Sequence, residues 1–245
     1  MIHARGDGFW KVVGRHPFGV LLGALFLMIG LSPSVSLITK FHPEFRGMAV
    51  LAPLSMVMIG ASMFALWKRA RHHATHMLAG GLIIVLLTLG GLVSHHGLAL
   101  AQIIAQIIFL SYMIGVVVRS VFRAADITGD ILCGAVCIYL LFGVLSGFVF
   151  VLIEYLLPGS FLISNWQANP AEQQSSFLHD PGWLIYFSFV TLTTVGYGDV
   201  LPGNAIARSA AVLVAIVGQI LLVVQIARLV GLHVAQGTIV KKHDD

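Results

Sequence analysis

Six consecutive residues, Thr194-Val195-Gly196-Tyr197-Gly198-Asp199, offer little side-chain chemistry and an unusual backbone. Glycine takes positive φ without a Cβ clash, so Gly196 and Gly198 let the chain alternate between ordinary and left-handed conformations. That alternation turns successive carbonyl oxygens to one side of the strand. Carbonyls from four such strands, aimed at a common axis, replace the hydration shell of a cation without a charged ligand. Thr194 adds a hydroxyl at the inner end, while Val195 and Tyr197 are placed to pack behind the strand. A single Gly-x-Gly would read as a tight turn. The chemistry here rests on all six residues and on what flanks them.

The flanks are apolar. Immediately before lies GWLIYFSFVTLTT, about a dozen residues, too short to cross a hydrocarbon core and suited to a re-entrant helix. Irregular backbone at membrane depth survives only where protein buries it or where it lines a water-filled path. The wider chain has a mean hydropathy of +0.94, with 58% hydrophobic and 10% charged residues, which excludes an ordinary soluble domain. Six apolar segments are expected to span: about 18–38 (bent or broken near Pro33), 47–67, 77–93, 98–118, 131–157 and 205–232. Between the fifth and sixth, Pro158 to Pro181 is polar and reads as an external loop.

Lys and Arg set the orientation. Eleven of them (Arg5, Lys11, Arg15, Lys68, Arg69, Arg71, Arg119, Arg123, Arg228, Lys241, Lys242) fall on the side of the termini, against three (Lys40, Arg46, Arg208) opposite. Both termini are therefore expected in the cytoplasm of a multi-pass cell-membrane protein. The net charge of +4 is spread over these loops and does not imply nucleic acid. Cys133 and Cys137, four apart on one helix, read as packing residues. His72, His73, His76, His95 and His96 titrate near neutrality and sit in loops, where solvation beside lipid headgroups is the plainer reading than a proton sensor or a metal site. No catalytic constellation, phosphate loop or metal-spacing motif is present in the sequence, so no enzyme activity and no cofactor are expected.

The segment Thr194 to Asp199, with the preceding Thr191-Leu192-Thr193, resembles the signature of potassium channels. The close likeness covers about residues 183–199, and the span, loop, half-helix, filter, span order extends it to about 130–232. The resemblance implies an all-α membrane fold of six transmembrane helices with a re-entrant pore helix, assembled as a homotetramer. It further implies K+ as the transported ion, held at Thr194, Val195, Gly196 and Tyr197, with Gly198 completing the filter and Thr193, Tyr186 and Asp199 supporting it. Family members often carry two tryptophans where this chain has Tyr186 and Phe187, which leaves the bonding behind the filter open. Asp199 reads either as a partner of pore-helix polar groups or as a solvated acid at the mouth.

Gly218 stands where the family often has a hinge glycine, although close helix packing explains it equally well. Helical spacing places Gln219, Leu222 and Ile226 on one face, suited to line the inner pore. Residues 98–118 carry no Lys or Arg, so steep voltage gating, which needs periodic charge in that span, is not expected. The expected organisation is a cytoplasmic lead-in over 1–16, an uncharged four-helix peripheral domain over 17–125, a pore domain over 126–232 and a short tail over 233–245. Lipids are the expected surroundings. A transporter subunit reusing a filter-like loop is the alternative, but such a chain is expected to hold several degenerate copies of the loop, and this one holds a single complete copy.

Overall fold

The computed structural model describes residues 16–41, 80–84, 86, 96–124, 128–164 and 181–244. Within them the order is α1 (Pro17–Phe41), α2 (His96–Phe122), α3 (Gly129–Leu156), β1 (Phe161–Ile163), α4 (Gly182–Leu192), β2 (Val200–Pro202) and α5 (Ala205–Asp244). Among the described residues, three windows are long and apolar enough to cross a membrane: Ala99–Phe122, Gly129–Leu156 and Ala205–Gly231. The expected second span, and all but a short helical piece of the third, lie outside the described residues.

Helix α3 is the hub, in contact with α1, α2, α4 and α5. Its start is well defined: Thr128 is the N-cap, its hydroxyl accepting from the Ile131 amide at 3.3 Å. Its end comes just before Pro158, which cannot continue a helix. Small residues on α3 set how closely the others approach. A Cβ on Gly134 would lie 2.7 Å from Val121 and 3.1 Å from the Phe18 ring, so α1 and α2 both nest there. A Cβ on Gly143 would lie 2.5 Å from the Phe189 ring, and one on Gly147 would lie 2.8 Å from the Ile185 Cα. This Gly-x-x-x-Gly face lets α4 lie directly on α3, the device by which membrane helices gain van der Waals contact.

The first helix is bonded to α3 as well as packed on it. Asp130, buried in the first turn of α3, accepts from the amide of Phe18 at 2.8 Å and that of Gly19 at 3.4 Å. These are orphan N–H groups at the start of α1, and a carboxylate there also favours the positive end of that helix's dipole. The Cys137 thiol donates to the Phe18 carbonyl at 3.6 Å, and Phe18 itself is fully buried.

Two expectations change. Helix α1 runs through Pro33 to Phe41 without the expected break; with no water in hydrocarbon to take up freed backbone groups, a membrane helix keeps as many of its internal bonds as it can around a proline. The apolar window of helix α5 stops at Gly231, close to the expected end of the span, and the helix itself runs on to Asp244. The structure is also not purely helical, since β1 and β2 pair antiparallel with Phe161 opposite Pro202 and Ile163 opposite Val200.

Candidate functional site: a carbonyl-lined strand at the end of a half-helix

Helix α4, eleven residues from Gly182 to Leu192, ends in the middle of the fold. Its last turn passes into the glycine-rich strand through three backbone bonds: Thr193 N–H to Phe189 O at 2.9 Å, Thr194 N–H to Thr191 O at 3.1 Å and Val195 N–H to Val190 O at 2.9 Å. Two side chains hold this junction. The Tyr139 hydroxyl, from α3, donates to the Leu192 carbonyl at 3.2 Å, and the Thr193 hydroxyl donates to Phe189 O at 2.6 Å. Higher on the helix, the buried Ser188 hydroxyl lies 2.7 Å from the Gly143 carbonyl and ties α4 to the glycine face of α3.

Beyond the junction the backbone alternates in hand. Thr194, Gly196 and Gly198 have φ of +60°, +62° and +74°, while Val195 and Tyr197 between them do not. The glycines take this conformation freely. Thr194 does not, because a β-branched residue in the left-handed region costs on the order of 1–3 kcal/mol. Its strain is the sharpest local sign that the carbonyl direction matters here. Thr193 to Gly198 are all exposed in the single chain.

The aromatic groups behind the strand are ordered. Tyr197 stacks on Tyr186 with ring centroids 6.4 Å apart and planes within 3°, and Trp183 meets Tyr186 edge-on. The Tyr186 hydroxyl donates to the Asp199 carboxylate at 2.7 Å. Desolvation first, then the bond to Asp199 and its charge, push the Tyr186 phenol up to about 12, so it remains a donor. Replacing it with phenylalanine keeps the stack and removes the donor. Tyr186→Phe is expected to destabilise this end of the strand by about 1 kcal/mol, below the usual value for a bond to a charged group because Tyr186 is partly exposed. Thermal unfolding of the purified protein in detergent checks this, and an unchanged midpoint would make the bond incidental.

Sequence reasoning missed the frame that fixes the outer end. Strand β2 follows Asp199 directly and pairs with β1, while Ser164 N–H bonds Asp199 O at 2.9 Å and Gly203 N–H bonds Ser160 O at 2.7 Å. Strand β1 is in turn anchored by Glu154, a fully buried carboxylate near the end of α3 that accepts from the amides of Gly159 and Phe161, each at 2.9 Å. Phe150, Phe161 and Phe187 pack around one another with centroids 5.3–5.5 Å apart and seal the frame from below. Asn204 closes the other edge. It donates to the Ser160 hydroxyl at 2.7 Å and accepts from the Ala207 amide at 2.9 Å, which starts α5. The buried acid so near a helix end was the available signal.

On α5, a Cβ on Gly218 would collide with Leu192, so this glycine is where the last helix meets the end of the half-helix. The helix runs through it uninterrupted. Gln219, Leu222 and Ile226 lie beside that contact line and are exposed in the single chain.

Residues 138–233 match the family described as ion channel. The matched stretch takes in most of α3, the β1–β2 frame, α4, the alternating strand and the apolar part of α5. The matched stretch is similar to the pore region of ion channels. No curated protein and no solved structure matches the chain. The family is one of channels and not of enzymes, and with three apolar spans the chain is a multi-pass membrane protein.

Proposed function

We propose that the chain is the subunit of a homotetrameric, potassium-selective channel, with six spans per subunit and both termini cytoplasmic. The observation that carries this reading is the alternation of hand at Thr194, Gly196 and Gly198 on an exposed strand. Alternation brings carbonyls to one side, and four such strands supply the rings of oxygens that a dehydrating K+ requires. Tetramer formation is further supported by α5. Only 17% of its spanning window is buried in the single chain, against 56% for α3. Neighbouring copies would cover that face.

The mechanism is positional. The half-helix α4 ends where ions would collect, so the negative end of its dipole favours a cation on the inner side of the filter. K+ exchanges water for carbonyl oxygens and the Thr194 hydroxyl, and repulsion between adjacent ions moves the queue along its gradient. Gln219, Leu222 and Ile226 line the inner vestibule in this reading. The spanning part of α2 holds no basic residue before Arg119 in its last turn, which argues against a charge-moving sensor.

The test is ion flux into liposomes holding the purified protein, with K+ and Na+ in competition and Gly196→Asp as control. Flux that favours K+ and disappears in the variant is the expected result. Equal K+ and Na+ flux would overturn the selectivity assignment.

A further inference from the structure

At the end of α2 away from the glycine-rich strand, Arg119 and Arg123 flank the exposed Phe122 along the helix, and Arg228 of α5 lies over its ring. Arg119 and Arg123 are one turn apart at the end of α2, both exposed, and Phe122 lies on the same surface. Arg228 reaches across from α5. Its guanidinium carbon sits 4.6 Å from the centre of the Phe122 ring, and its Nη2 donates to the Ala124 carbonyl at 3.3 Å. None of the three makes an ion pair with a described residue. Asp130, the nearest described acid along the chain, is buried and already accepts from Phe18 and Gly19, while Glu154 and Asp199 belong to the filter end.

The geometry points to a binding site for the phosphate of an anionic phospholipid headgroup. Membrane topology calls for positive charge on this face, but it does not call for an arginine of α5 turned onto a ring that two arginines of α2 flank. Like charges so gathered repel, and an anion between them reverses the sign of the interaction. Guanidinium groups suit a phosphate because their planar forks donate in pairs. The acyl chains have a surface to follow: Val224, one turn nearer the membrane centre than Arg228, is exposed, and Gly115 leaves open space one turn above Arg119. Because Arg228 is on the last helix and Phe122 on α2, a lipid here would join the peripheral helices to the end of the pore-lining one.

The experiment needs no ion flux and so stands apart from the selectivity assignment. The full chain, purified in neutral detergent, is titrated with phosphatidylglycerol, with phosphatidylcholine of the same chains, and with inorganic phosphate, and bound lipid is counted by native mass spectrometry. Wild type is expected to retain phosphatidylglycerol over phosphatidylcholine. Arg119→Gln, Arg123→Gln and Arg228→Gln should each weaken that retention about fivefold, the factor for roughly 1 kcal/mol per basic residue near a lipid surface. Arg119 and Arg123 have exposed side chains, so their variants fold whether or not Arg228→Gln does, and Arg228→Lys, which keeps the charge and loses the fork, should restore only part of the effect. Equal retention of the two lipids, or retention indifferent to the arginines, overturns the site. Displacement of phosphatidylglycerol by millimolar inorganic phosphate would overturn its assignment to a lipid.

Discussion

Gly196→Ala is expected to reduce K+ flux in reconstituted vesicles by a hundredfold or more, on the order of 3 kcal/mol in barrier terms. The reason is the backbone. A Cβ built on Gly196 meets nothing within 4 Å, so crowding inside the chain is not the obstacle. Its φ of +62° is the obstacle, since an L-residue there costs roughly 1–2 kcal/mol. In the proposed tetramer, four copies of that strain reach about 4–8 kcal/mol per assembly. Rotating the peptide out of the left-handed region relieves it, and the same rotation turns a carbonyl away from the axis. Gly23→Ala is the matched control, because a Cβ there also meets nothing within 4 Å and the residue is helical. Flux should be lost in the first variant and kept in the second. Normal selective flux through Gly196→Ala would remove carbonyl direction from the account.

Gly147→Leu is expected to abolish assembled protein. At this position the neighbour is backbone, with a Cβ falling 2.8 Å from the Ile185 Cα, and a backbone atom in the middle of α4 cannot swing aside as a side chain would. Overpacking a core costs about 1–3 kcal/mol where side chains can adjust, and more is expected here. The displacement also has a direction. It pushes α4 off α3, strains the bonds from Ser188 to Gly143 and from Tyr139 to Leu192, and moves the start of the filter strand with it. Size-exclusion chromatography with light scattering after purification reads the outcome, with Gly147→Ala as an intermediate step. Leucine tolerated at wild-type yield would mean the two helices are not held at this separation.

Helix α4 and the alternating strand after it could be read from the sequence because their instructions are local: a dozen apolar residues, then glycines at alternate positions. The long spans α2, α3 and α5 were legible for the same reason, length and hydropathy. What could not be read depended on distant partners. Glu154 looks like an acid near a helix end until the amides of Gly159 and Phe161 are seen to converge on it. Three-residue strands such as β1 and β2 are too short to show an alternating pattern. Thr194 went further and opposed its own propensity, because tertiary context imposes a φ that its type disfavours. Gly143 and Gly147 were in plain view, and their Gly-x-x-x-Gly spacing was the one signal of close packing that sequence reasoning could have used.

The bond from Asp130 to the start of α1 bears on how much of this chain can be spared. A fragment beginning at Thr128 would keep α3, α4, the filter and α5, and so every residue of the proposed conduction path. It would also leave the Asp130 carboxylate without its Phe18 and Gly19 donors, and the hollow at Gly134 without the Phe18 ring that fills it. Removing one partner of a buried charged group costs more than the bond itself contributes. In the proposed channel the first helix thus acts as a built-in scaffold for the pore, and each subunit would carry its own.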